Sequence, residues 1–345
     1  MTSKESRPSV LVIAATDSSG GAGLTSDVRV LTDFSVDALC IATAVTAQSD
    51  KRVLSVHHVP PDVIHAQLTA ALETRRVGAV KIGMLGNRAT VEAVAEALAA
   101  VGARCAEAGM PAVGVAVSAG NAGPGGADGV SGDEGGRQLH DGELDDRATI
   151  PARLSRLLAH GVAAHATTPI VLDPVLVSSS GGILLDARGR AALREKLLPR
   201  ATLVTPNVPE IAALLGESVA ADEVELVNQA RRLLELGCQA ILLKGGHATG
   251  EEAVDLLVMR AQGPQHDRRQ PEGRQIEPTK SGTPVDNIIV ERITSKRMPG
   301  TSRGTGCALA SGIAAGLASG HSLLEACRRA KRYVLETMLT PPPET

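Results

Sequence analysis

The residues best suited to chemistry in this chain are Gly304-Thr305-Gly306-Cys307, which open an alanine-rich segment. Consecutive N–H groups at a helix N-terminus form an anion hole that can hold a transferring phosphoryl group. Cys307 sits beside those donors. A helix terminus lowers a thiol pKa and favours thiolate, so Cys307 is expected to serve as base for a substrate hydroxyl. The alternative is a small buried cysteine, the role expected of Cys40, Cys238 and Cys327. Three further clusters fall at the ends of apolar runs: Thr16 to Gly23, with glycines at 20, 21 and 23; Lys81-Ile82-Gly83-Met84; and Lys244-Gly245-Gly246-His247. The first lets backbone approach a ligand closely. It fits neither a Walker A loop nor G-x-G-x-x-G. Lys244 reads equally as a phosphate contact or a solvated strand-end lysine. Asp173-Pro174 ends another apolar run, and Asn207-Val-Pro-Glu210 follows one. Glu210 could help hold Mg²⁺ through water, or Asn207 and Glu210 could form a capping box.

The elements that must position these groups alternate along the chain. Strands are expected at Ser9–Ala15, Ala38–Val45, Ala79–Gly83, Ile170–Asp173, Thr202–Thr205 and Ala240–Leu243, and a hairpin around Val254–Val258 and Asn287–Ile293. Helices are expected at Gly23–Phe34, Pro61–Thr74, Arg88–Ala103, Asp186–Leu198, Pro209–Leu215, Asp222–Leu236, Gly306–Ala318 and Leu323–Leu339, with a short one at Pro151–His160. Apolar strands alternating with amphipathic helices indicate an α/β sheet covered on both faces. In such sheets ligands bind outside the carboxyl ends of the strands, where the clusters above fall.

From Ala119 to Gly136, eight of eighteen residues are glycine. Such a segment buries too little surface to offset its ordering entropy. Disordered insertions are expected at about 113–148 and 261–286, inside a single domain over 9–340, with a flexible arm at 1–8 and a tail at 341–345.

Composition narrows the function. Net charge is −3, and Phe34 and Tyr333 are the whole aromatic set among 345 residues. Neither a basic excess nor base-stacking platforms are present, which argues against nucleic acid as partner. The five cysteines form no C-x-x-C pair, which suits a reducing compartment. No apolar run is long enough to span a bilayer, so a cytoplasmic protein with a small substrate is expected.

Taken together, seven motifs resemble the hydroxymethylpyrimidine/phosphomethylpyrimidine kinases of thiamine biosynthesis, within the ribokinase-like superfamily. They are Ala15 to Asp27, Thr43 to Gln48, Val80 to Leu85, Asp173 to Gly181, Leu203 to Glu210, Leu243 to His247 and Gly304 to Cys307. The resemblance implies a ribokinase-like three-layer α/β/α fold with a mostly parallel sheet, a homodimer, ATP and Mg²⁺ as cofactors, and two successive phosphorylations. It implies that Gln48 reads the pyrimidine, with Ala22, Thr46, Met84 and Asp27 around it. Asp173 and Glu210 fall near the metal, and Asn207, Lys244, Gly245 and Gly246 beside the nucleotide. Gly304, Thr305 and Gly306 would form the anion hole, with Cys307 as base or proton relay. Arg303 and Ser179 stand where many members carry His and Lys, and Ala15 where Gly is frequent. Arg303 either reinforces the anion hole as a bidentate donor or obstructs it. The competing readings are a pyridoxal or pyridoxine kinase and a catalytically idle pyrimidine-binding regulator.

Overall fold

The computed structural model describes residues 7–49, 51–107, 112–113, 167–178, 181–245, 252–260, 288–297 and 303–339. The two expected insertions, apart from Val113, and the helix expected at Pro151–His160, Ser179 and Gly246 lie outside the described residues. Ser9–Ala14 (β1) is buried throughout, and parallel strands flank it: Asp37–Ala42 (β2) on one side and Ala79–Ile82 (β5) on the other. The sheet continues through Ile170–Leu172 (β8), Leu203–Val204 (β9) and Ala240–Leu243 (β10), all parallel. It ends in the antiparallel hairpin Glu252–Arg260 (β11) and Ile288–Lys296 (β12). Eight strands therefore run in the order β12-β11-β10-β9-β8-β5-β1-β2. A short parallel pair, Ala112–Val113 (β6) with Thr167–Thr168 (β7), lies apart from this sheet.

Side chains alternate across a strand, and here they feed two separate cores. Leu11, Ile13, Val80, Ile82, Leu172 and Ile241 face one side. Against them pack helices Pro61–Thr74 (α2), Arg88–Glu107 (α3), Val208–Leu215 (α5) and Glu223–Glu235 (α6). Val10, Val12, Ala79, Val171 and Leu242 face the other side, covered by Gly23–Asp33 (α1), Thr305–Ala318 (α7) and Leu323–Tyr333 (α8). Three layers result. With so few aromatics, α7 and α8 approach closely instead: a Cβ at Gly316 would lie 2.8 Å from the Cβ of Ala326. The sole Phe and Tyr meet edge to face, 5.2 Å between centroids.

Three expected elements come out differently, one of them the helix over Leu323–Leu339, which is α-helical over Leu323–Tyr333 and a π turn over Val334–Leu339. The strand expected over Ala38–Val45 breaks at Thr43, whose hydroxyl donates to the Met84 carbonyl at 2.6 Å. The chain then leaves the main sheet as Ala44–Gln48 (β3) and pairs with Val53–His58 (β4), a strand the sequence reading lacked. The helix expected over Asp186–Leu198 is α-helical only over Ala187–Ala192 (α4). It then widens to a π turn at Leu193–Leu197 and ends in a 3₁₀ turn at Leu198–Arg200. Pro199 in that last turn has no N–H to continue an α ladder.

Candidate active site

The chain passes from β1 to β2 on one side and later returns to β5 on the other, so β1 is a topological switch point, where open α/β sheets bind ligands. A cavity of about 1430 Å³ opens at the carboxyl ends of the strands. Ala15 and Thr16 line it after β1, with Lys81 and Met84, Asp173, Asn207 and Lys244 following β5, β8, β9 and β10. Gln48 reaches it from the β3–β4 hairpin, and Ala22 and Gly23 from the glycine loop. Gly304, Thr305, Gly306 and Cys307 line it from the start of α7.

Gly304 is the N-cap of α7 with φ of 80°, and no side chain caps the first turn. A Cβ on Gly304 would lie 2.0 Å from the Gly21 carbonyl oxygen, so this turn packs directly on the glycine loop. A Cβ on Gly306 would lie 3.4 Å from the Lys244 Nζ and 3.9 Å from an Asp173 oxygen.

Lys244 is no solvated lysine. Its Nζ donates to Asp173 Oδ1 at 3.0 Å and lies 3.7 Å from Glu210 Oε2. Burial alone would lower its pKa, but the charges of Asp173 and Glu210 outweigh that and raise it. Asp173 also accepts from the Thr205 hydroxyl at 2.9 Å. Asn207 and Glu210 form a complete capping box, each side chain accepting the other's backbone N–H at 2.8 Å. That occupies the Asn207 oxygen and one Glu210 oxygen with α5 itself. Burial pushes the Glu210 carboxyl up, against the pull of Lys244. Gly245 is off the cavity wall. Its N–H donates to Asp255 at 2.9 Å, and any Cβ would collide with the Val254 carbonyl.

Three expectations need correction. Asp27 is not a substrate contact: its side chain is fully buried and forms an ion pair with Lys81 Nζ at 2.7 Å. Its second oxygen accepts from Ser311 Oγ at 2.7 Å. Both oxygens are thus committed between β5 and α7. Thr46 is also behind the wall, donating to the Thr16 carbonyl at 2.8 Å and so shaping the loop indirectly. The third concerns Cys307. Enclosure by protein pushes its thiol up to about 11, more than Lys81 and the Gly23 N–H pull it down. The helix-end effect fades within a turn, while desolvation penalises thiolate directly. Cys307 is a neutral thiol at pH 7. Among the other cysteines, Cys238 and Cys327 are buried, but Cys40 is exposed on β2.

Lys81, which the sequence showed only as part of a strand-end cluster and without a role, is a further residue of the site. It is fully buried, lines the cavity and links Asp27 to the neighbourhood of Cys307. A lone lysine inside the apolar run Ala79 to Ile82 was the available signal, because a charge there demands a partner.

The raised Cys307 pKa has a direct readout. Its folded value lies above the ordinary 9.0. The folded state therefore holds the proton longer, and the associated stability is complete below pH 9 and lost as pH rises through about 11. Alkylation of Cys307 by iodoacetamide, followed by peptide mapping, should be slow at pH 7 and rise about tenfold per pH unit toward that value. A rate already on its plateau at pH 7 would contradict the neutral thiol.

A mostly parallel sheet between two helical layers, with an uncapped helix end and ion-paired lysines at the strands' carboxyl ends, is a ribokinase-like three-layer α/β/α fold. The sequence model of the family described as phosphomethylpyrimidine kinase matches residues 17–106, 150–283 and 273–343. The hydroxymethylpyrimidine/phosphomethylpyrimidine kinase of Rhizobium meliloti (strain 1021) is 31% identical over 324 residues, covering 94% of this chain and 88% of that protein. The chain belongs to the phosphomethylpyrimidine kinase family and is a phosphotransferase. Two solved structures share the fold. Phosphomethylpyrimidine kinase from Clostridium difficile 630 superposes with a TM-score of 0.60 at 24% identity, covering 96% of this chain and 99% of that one. An ADP complex of Bacillus subtilis pyridoxal kinase gives 0.63 at 21% identity, covering 99% and 95%.

Proposed function

We propose that the protein transfers the γ-phosphoryl group of ATP to 4-amino-5-hydroxymethyl-2-methylpyrimidine and then to its monophosphate, in thiamine biosynthesis. The observation that carries this reading is the uncapped N-terminus of α7, opening with Cys307 into the same cavity as Gln48 and Met84. Gln48 offers both donor and acceptor to an aminopyrimidine edge, and Met84 an adaptable apolar wall. Ala22 leaves room beside the ring. The N–H groups of Thr305, Gly306 and Cys307 receive the transferring phosphoryl group. Lys244 neutralises phosphate charge while Asp173 and Glu210 hold it in place.

Phosphoryl transfer proceeds through a loose transition state in which positioning and charge stabilisation supply most of the catalysis. The substrate hydroxyl attacks the γ-phosphorus as the bond to ADP breaks. Its proton leaves late, so a protonated Cys307 suits a relay: Sγ takes the hydroxyl proton while its own passes to a phosphoryl oxygen. Mg²⁺ would enter with ATP. The Asp173 carboxylate, joined to Glu210 through Lys244, suits a cation that keeps several waters and takes one or two carboxylates. When bound it supplies charge neutralisation at the phosphates. The same reading extends to a cytoplasmic homodimer; β3 and β4 leave Val45 and Leu54 exposed for a second subunit. No helix among the described residues is long and apolar enough to cross a membrane.

ADP release from Mg-ATP tests the function, with hydroxymethylpyrimidine, its monophosphate and pyridoxal offered in parallel. Turnover on both pyrimidines is expected, with pyridoxal slower. Turnover on pyridoxal alone would move the substrate to a vitamin B6 ring. Pyrimidine binding with no turnover would make the chain a regulator.

A further inference from the structure

We propose that Arg303 is a positioning residue: it latches the glycine loop to the start of α7, so that ring binding and phosphoryl placement are coupled. The inference rests on the kinase reading for its purpose, not for its geometry. Arg303 immediately precedes Gly304 and is largely enclosed, its side chain 17% exposed. Its Nη2 lies 3.0 Å from Asp17 Oδ2, and its Nη1 donates to Ser19 Oγ at 2.9 Å. Two nitrogens of the planar fork thus grip two residues of the opposite loop, a geometry open to arginine and not to lysine.

Asp17 is the centre of that loop. Its side chain is fully buried. It accepts from the Ser19 N–H and hydroxyl at 3.0 and 2.9 Å and from the Ala22 N–H at 2.9 Å. Arg303 therefore joins a turn already organised from within. The next residue, Ser18, carries the connection onward: its hydroxyl donates to the Gln48 carbonyl at 2.8 Å and accepts the Gln48 N–H at 2.9 Å. Polar contacts joined by the loop backbone thus run from the start of α7 to the hairpin holding Gln48. The close approach of Gly304 to the Gly21 carbonyl is its second attachment. Arg303 also lines the cavity, with both Nη groups turned to the loop. It fixes where that helix end sits relative to the ring.

The test compares Arg303→Ala, Arg303→Lys, Asp17→Asn and the double variant Arg303→Ala/Asp17→Asn with the parent protein. Amide exchange at Thr305 to Cys307, read without ligands, should accelerate about tenfold or more in Arg303→Ala and Asp17→Asn. kcat on hydroxymethylpyrimidine should fall by about ten- to a hundredfold, with affinity for AMP-PCP alone within about twofold. Tightening of AMP-PCP by the pyrimidine, measured calorimetrically, should disappear. Arg303→Lys should fall between, and the double variant should be no worse than the poorer single, because both break one contact. Unchanged exchange in Arg303→Ala, or additive losses in the double variant, would overturn the latch. If the parent lacks turnover but the exchange effect is seen, the substrate reading fails and the latch stands. If Arg303→Ala does not fold, Ser19→Ala removes one of the two links without stranding a buried charge. It should reproduce the exchange effect at smaller amplitude, and no change there would equally overturn the proposal.

Discussion

Gly304→Ala will lower turnover on either pyrimidine by about a hundredfold or more while leaving the protein folded. The residue sits at φ of 80°, a region that L side chains enter only with strain. Strain alone would be a modest stability effect. The decisive contact is the backbone oxygen of Gly21, 2.0 Å from the position of an added Cβ. No rotamer relieves a clash between a Cβ and a carbonyl. Either the α7 terminus turns away, carrying the N–H groups of Thr305, Gly306 and Cys307 with it, or the loop holding Ala22 retreats. A displacement near 1 Å at a reacting centre costs about a hundredfold. Gly216→Ala supplies the control. That glycine also has positive φ, 75°, but nothing lies within 4 Å of its Cβ position. It should lose about 1–2 kcal/mol of stability, with turnover within about twofold of the parent. Thermal melting and steady-state kinetics on both variants separate strain from displacement. Equal turnover in the two would mean that the close approach does not position the helix end.

Much of the architecture is legible because it is written in local periodicity. Helix α2 spans Pro61–Thr74 and strand β10 spans Ala240–Leu243 as their apolar spacing predicts. The hairpin of β11 and β12 is found across a long polar connection, since each strand carries its own short apolar run, Leu256 to Val258 in one and Ile288 to Val290 in the other. Hairpin β3–β4 was half missed. Its strands lie off the main sheet, and the exposed Val45 and Leu54 give no core-facing pattern. The π turn at Leu193–Leu197 was equally silent, because a widened turn keeps nearly the same apolar face.

At the site, the residues were legible and their electrostatics were not. Gly304 to Cys307, Gln48, Met84, Asp173 and Lys244 do converge on one cavity. What a sequence cannot carry is burial by distant elements. Asp27, Lys81 and Ser311 come from α1, β5 and α7, and only their meeting turns an apparent substrate contact into a committed ion pair. The same holds for Cys307. A helix end suggests thiolate, but burial in the folded chain pushes the thiol up and outweighs the downward pull of Lys81 and the Gly23 N–H. Cys40 errs in the opposite direction: an apolar strand suggested burial, yet β2 is the sheet edge and exposes it.

The second large effect belongs to Cys307→Ala. The side chain stands at the uncapped helix end proposed to receive the phosphoryl group and lies outside the buried face of α7, which begins at Ala308. Removing it should therefore leave the anion hole and the Lys244–Asp173 pair intact. A positioned proton carrier contributes about a hundred- to ten-thousandfold. Because the thiol already holds its proton at neutral pH, raising the pH should not restore what the alanine lacks. The measurement is single-turnover phosphoryl transfer to hydroxymethylpyrimidine by parent and Cys307→Ala proteins, with ATP affinity determined in parallel. A fall of about a hundredfold or more with ATP affinity within twofold is expected. Transfer within about threefold of the parent would contradict the assignment and remove Cys307 from the chemistry.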